Sequence, residues 1–251
     1  MSHTSRSERP EREDESKEVD HPLSRRLVAE AIGTFALVFV AVGGDAMAEI
    51  AGGEISTAAR AVAPALTVGA LIYAIGDVSG AHFNPVVTAA FALKRLFPSG
   101  LVLPYWLAQL AGGVIAALVV RLLFGDAVRA GVSTPHVNAG VALAIEAILT
   151  ALLLTVILGT ADRARVVGPD AALAVAGTIS LAGLIAIPIE GASMNPVRSL
   201  APALIVGDIG DLWIYVLGPA IGGLAAVAIN LILHGARTGD ARSRGAAQGE
   251  S

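Results

Sequence analysis

Two Asn-Pro pairs are the residues of this 251-residue chain best placed to do chemistry, and that chemistry is hydrogen bonding. Proline suits the first helical position, where its missing N–H is not needed. Asparagine suits the cap just before it. Asn84-Pro85 and Asn195-Pro196 therefore each predict a helix start, the Asn oxygen accepting from Val86 or Val87 and from Val197 or Arg198. The amide N–H2 groups are then free to donate into a passage. A helix N-terminus carries about half a positive charge, so two such ends facing one narrow passage oppose cations, protons included. The preceding stretches, Val78–Phe83 and Ile189–Met194, hold small residues (Gly80, Ala81, Gly191, Ala192, Ser193) that suit a tight loop with carbonyls along a wall. Glu30 and Glu146 stand in apolar surroundings, where a lone carboxylate is costly. They read better as acceptors for N–H groups of those loops than as a proton or ion site. His82, beside Asn84, is a candidate to line the passage. The absence of cysteine excludes disulfides and thiolate chemistry. Among His3, His21, His82, His136 and His234 only His82 lies deep, which leaves an intramembrane hydrolase without a catalytic set. No cofactor or metal is implied.

The elements that must position these groups follow from composition. The chain is 55% hydrophobic and 15% charged, against roughly 25% charged in a soluble domain. Its charges crowd into the first 26 residues, and a net charge of −4 argues for no nucleic-acid partner. Residues 1–22 and 236–251 are predicted to be disordered tails, the first lacking the apolar core of a signal peptide. The body, 23–235, holds six runs long enough to cross a bilayer: Leu27–Ala48, Ala58–Gly76, Leu103–Phe124, Val141–Gly159, Ala171–Ile187 and Leu212–His234. Asn84–Leu93 and Asn195–Ile205 are too short to span and read as re-entrant half-helices.

With the N-terminus inside, Arg25, Arg26, Lys94, Arg95, Arg163, Arg165 and Arg237 fall on the inner side, and only Arg60 and Arg129 in outer loops. Both ends are therefore expected in the cytoplasm. Arg121 is expected to reach for the outer interface. The order span with Glu, span, Asn-Pro half-helix, span with Gly-Gly occurs twice, over about 23–125 and 137–235. Three spans per copy force the second copy to insert upside down. The expected fold is thus an all-α membrane protein with six transmembrane helices and two half-helices in an inverted 3+3 repeat.

SGAHFNPVVTAAFA and GASMNPVRSLAPAL resemble the aquaporins, or major intrinsic proteins, over about residues 25–235. The resemblance implies a channel in the cell membrane, a homotetramer with one passage per subunit, and water and small uncharged solutes as its traffic. Val86 and Val197 depart from the alanine usual after Asn-Pro and are expected beside the narrow centre. Family position places an outer filter at Pro64 (or Ala63 or Ala65 on a one-residue slip), Gly183, Ala192 and Arg198. With no aromatic ring and no His there, a wide filter is expected. The pattern is similar to the nodulin-like branch, with Ser199 where glycerol facilitators usually carry Asp. That branch implies glycerol, urea, ammonia or neutral metalloid hydroxides. The alternatives are a strictly water-selective channel and, on the inverted repeat alone, a secondary transporter.

Overall fold

The protein is seen in a computed structural model that describes residues 21–161, 169–235 and 241–249. Apolar chain inside a bilayer must satisfy its own backbone groups, and helices do so. Every regular element among the described residues is helical. In chain order the α-helices are α1 (Leu23–Ile50), α2 (Thr57–Ser79), α3 (Pro85–Leu93), α4 (Val102–Phe124), α5 (Ala139–Ala161), α6 (Pro169–Glu190), α7 (Pro196–Val206), α8 (Ile214–His234) and α9 (Ala241–Gln248), with short 3-10 turns at Ser99–Leu101 and Gly125–Gly131. The six long ones are each apolar and long enough to cross a membrane. At 1.5 Å per residue, the 9 residues of α3 and 11 of α7 reach about 14 and 17 Å, half of a ~30 Å hydrocarbon core.

The helices run past the apolar windows wherever a cap or partner holds polar residues. α1 begins at Leu23, because Arg26 is buried against the rings of Phe97 and Tyr105 and bonds the Tyr105 hydroxyl. α2 begins at Thr57, after Ser56 accepts from the Ala59 N–H. Arg60, counted with the outer loops although the run Ala58–Gly76 contains it, lies in the first turn of this helix. Arg121 lies part-exposed, 3.7 Å from Asp126.

Packing follows the repeat. α1 lies along α4, α5 along α8, and α2 against α6 between them. A Cβ on Gly112 would stand 2.1 Å from the Ala31 carbonyl oxygen, and one on Gly222 2.3 Å from that of Ala147. Equivalent glycines thus bring each helix pair to backbone contact.

The expectation of a disordered tail over 236–251 is corrected in part: Ala241–Gln248 is helical and touches α2 and α5. Gly245, Ala247 and Gly249 are buried there. Composition finds no large apolar groups in this segment and so misses it, because what it fills is a recess that admits only small ones. Residues 1–20 of the other tail lie outside the described residues.

Candidate functional site

The loops 80–84 and 191–195 repeat one unusual backbone. φ is +83° at Gly80, +51° at Ala81 and +48° at Phe83; it is +96° at Gly191, +49° at Ala192 and +51° at Met194. Left-handed conformations cost non-glycine residues roughly 1–2 kcal/mol each, so something must hold them. Glu30 does so in the first loop, accepting from the N–H of His82 (2.9 Å) and Phe83 (2.8 Å), with Ser79 Oγ and Gln109 Nε2 as further donors. Glu146 does so in the second, accepting from the N–H of Ser193 (2.6 Å) and Met194 (2.8 Å). Glu190, unremarked in the sequence, lies against Glu146 and accepts from the Ala192 N–H.

Asn84 and Asn195 cap α3 and α7. Asn84 Oδ1 accepts from Val86 N (2.9 Å); Asn195 Oδ1 accepts from Val197 N (3.0 Å) and Arg198 N (3.4 Å). Their amides are not left free, as the sequence suggested. Asn84 Nδ2 donates to the Met194 carbonyl at 2.8 Å and Asn195 Nδ2 to the Phe83 carbonyl at 2.9 Å. Each asparagine is thereby tied to the opposite loop, and both helix starts meet at one place. An amide carries two N–H donors, so one remains per asparagine for the cavity that both side chains line.

The other four residues expected at that centre are placed differently. Pro85, Val86, Pro196 and Val197 line no part of this cavity and border an apolar groove on the outside of the bundle instead. A Cβ on Gly223 would sit 2.6 Å from Val86 Cγ1, and one on Gly113 2.6 Å from Val197 Cγ1. Each valine takes space vacated by a glycine on α8 or α4, so the departure from alanine leaves the passage unchanged.

The cavity has a volume of about 80 Å³ and mostly apolar walls. Its polar lining is Asn84, Asn195, His82, Ser193, Asp45, Arg60 and Arg198. Pro64, Gly183 and Ala192 line it too, with Ala61 and Val68, so helical register turns Pro64 inward and Ala63 and Ala65 away. Gly183 also abuts α2: a Cβ there would lie 2.9 Å from Ala61 Cβ. On the face away from the chain ends, the cavity meets a wider vestibule of about 820 Å³. Both spaces are bordered by Asp45, Arg60, Ile187, Gly191 and Arg198.

Arg198 does not stand alone in an apolar ring. Its Nη1 donates to Ser133 Oγ (2.6 Å) and its Nη2 to Asp45 Oδ2 (3.1 Å). Asp45 Oδ1 in turn accepts from Arg60 Nε at 2.7 Å. Sequence reading counts Arg60 only as an outer-side charge and does not join it to Asp45. A carboxylate inside a long apolar helix was the available signal. At the other end, His82 packs against Phe91, Phe97 and Tyr105. Its Nδ1 meets Thr88 Oγ1 and its Nε2 the Ala247 carbonyl, both at 3.0 Å.

This arrangement can relay hydrogen bonds to an uncharged solute and refuse a cation; no nucleophile–base pair stands in it. The fold resembles the aquaglyceroporin of Plasmodium falciparum, with a TM-score of 0.73 at 22% identity over 83% of this chain and 96% of that one. Curated relatives are closer in sequence. Aquaporin NIP1-1 of Oryza sativa subsp. japonica is 42% identical over 84% of this chain and 75% of its own length. Nodulin-26 of Glycine max is 39% identical over 82% and 77%. The family profile "Major intrinsic protein" matches residues 16–230. The paired half-helices, the crossed asparagines and these matches agree: the chain belongs to the major intrinsic protein family, membrane channels and not enzymes.

Proposed function

We propose that this chain is a passive channel carrying water and small uncharged solutes such as glycerol or urea across the cell membrane. Both of its ends lie in the cytoplasm and it works as a homotetramer. The observation that carries the reading is the crossed pair of asparagines, which points two electropositive helix starts into one continuous cavity. A solute gives up water, accepts hydrogen bonds from Arg198 and from the two amides, and donates its own to the loop carbonyls. A cation meets like charge at the guanidinium and again at the helix starts. Pro64, Gly183 and Ala192 leave the outer filter without rings, which supports passage of solutes larger than water. The similarity to aquaporin NIP1-1 and nodulin-26 supports a channel of this kind. Exposed apolar side chains on α1, α2, α5 and α6, among them Ile32, Leu66, Ile148 and Leu181, suit lipid and neighbouring copies alike. Net Lys and Arg on the chain-end side supports a cytoplasmic location for the ends.

Stopped-flow light scattering on proteoliposomes tests this. Water and glycerol fluxes should both exceed those of empty liposomes, rise linearly with gradient, and ignore Na⁺ and pH gradients. Saturation, or dependence on an ion gradient, would favour the transporter. Fast water flow with glycerol and urea both excluded would favour the water-selective alternative.

A further inference from the structure

Building on the channel reading, we propose that Asp45 and Arg60 are part of the outer filter, which is therefore two guanidiniums gripping one carboxylate rather than one Arg among small residues. Asp45 is buried in α1, where an unpaired carboxylate would be costly. Its two oxygens divide the work: Oδ1 holds Arg60 of α2 and Oδ2 holds Arg198 of α7. All three side chains border the cavity and the vestibule alike, so they sit where the two meet. The side-chain hydrogen bond described for Arg60 uses Nε. Its side chain takes up room where the cavity meets the vestibule, and its terminal nitrogens are donors without a described protein partner. The cluster carries one net positive charge, which repels cations. A neutral solute with both donors and acceptors, such as a short polyol, meets guanidinium N–H groups and the remaining lone pairs of Asp45 at one step.

The test compares water, glycerol and the four-carbon polyol erythritol in proteoliposomes, normalised to reconstituted protein. Arg60→Ala should raise the erythritol-to-glycerol flux ratio about threefold or more, since the side chain sets the width there. Arg60→Met, of similar length but without donors, should keep the wild-type ratio and lower glycerol flux. A tie between α1 and α2 with no filter role would leave the ratio unmoved in both variants, and that result overturns the proposal. A wild type closed to glycerol beside an Arg60→Ala that admits it would keep Arg60 in the filter and overturn the wide-filter reading instead.

A different set of contacts carries a second proposal: we infer that residues 241–249 form a plug in the mouth on the chain-end side. α9 touches α2 and α5, which approach that mouth from the two halves of the repeat. Ala247 is fully buried, and its carbonyl accepts from His82 Nε2. A Cβ on Gly80 would lie 2.4 Å from that carbonyl oxygen, and one on Gly249 2.5 Å from Ser79 N. Loop and segment therefore meet with space for a hydrogen and nothing larger. Gln248 Nε2 donates to the Leu96 carbonyl at 3.4 Å on the flank. Lifting the segment would bare the His82 ring nitrogen to water at the mouth.

Truncation after Gly235 should raise water flux per reconstituted protein about threefold or more, as removal of a steric block does. Ala247→Asp, which buries a charge at the contact, should do the same within the full-length chain. Equal flux in the truncated and full-length proteins would overturn the plug. Absence of water flux in both would overturn the channel reading beneath it.

Discussion

The two asparagine loops share a backbone and differ in their surroundings. In the first, Glu30 takes bonds from two loop N–H groups, a serine and a glutamine, and His82 is wedged among three rings. In the second, Glu146 takes two N–H groups and has Glu190 beside it, with Arg198 and Asp45 nearby. What is duplicated is what needs symmetry: a carboxylate to hold the loop and an amide to reach the other one. What is not duplicated distinguishes the mouths. Packed rings, with Arg26 stacked against them, stand at one end, and the Asp45–Arg60–Arg198 cluster stands at the other.

The largest predicted effect tests the carboxylates. Glu30→Ala orphans four described donors, and each buried donor left unpaired costs about 1–3 kcal/mol. We expect loss of folded, conducting protein, read as thermal unfolding in detergent and as water flux. Glu146→Ala orphans two loop N–H groups and leaves Glu190 within reach of them. It should fall short of that loss. Equal losses would show that Glu190 cannot stand in, and the contrast between the loops would narrow.

Next comes the filter. Pro64→Phe places a ring in the outer cavity and should cut glycerol flux about tenfold while sparing water, because the wall there is otherwise small. Unchanged glycerol flux would move the constriction off this register. Gly183→His is a poorer probe, since its Cβ would press on Ala61 and destabilise the α2–α6 contact by about 1–3 kcal/mol.

How far the site could be read from sequence follows from how local each signal is. The Asn-Pro caps lie within one turn of chain, so their geometry is legible from residue type. Glu30 and Glu146 are legible because burial of a carboxylate demands an acceptor role. Arg198, Gly183, Ala192 and Pro64 were placed by family position, and all four line one cavity. The direction of Val86 and Val197 was not legible, because it depends on Gly223 and Gly113, far away in sequence. The Asp45–Arg60–Arg198 cluster joins three helices, and nothing in the spacing of its members announces it. α9 escaped for a related reason: its fit is one of small volume, to which hydropathy is blind.

The glycines behind those valines measure whether the halves are equal where they appear so. Gly113→Ala and Gly223→Ala should each destabilise by about 1–3 kcal/mol, the usual cost of overpacking. Val197→Ala should rescue the first and Val86→Ala the second in double-mutant cycles. Rescue in one half alone would mean that the repeat has drifted even in its packing.

The smallest effect concerns the fourth residue after each asparagine. Ser199 links Ser133, which holds Arg198, to Ser193, which holds the Asn195 carbonyl, through contacts of 2.6–2.8 Å. Its counterpart Thr88 meets His82 and Gln109. Ser199→Ala breaks one link in a chain of hydroxyls that can each turn to another partner, so about 1 kcal/mol or less should be lost. Thr88→Ala strands a buried glutamine N–H and a ring nitrogen whose neighbours are apolar, and should cost more. Thermal unfolding of the two variants side by side decides it. A greater loss from Ser199→Ala would mean that the hydroxyl chain holds the Arg198 end more rigidly than the rings hold the His82 end, the reverse of the contrast drawn between the loops.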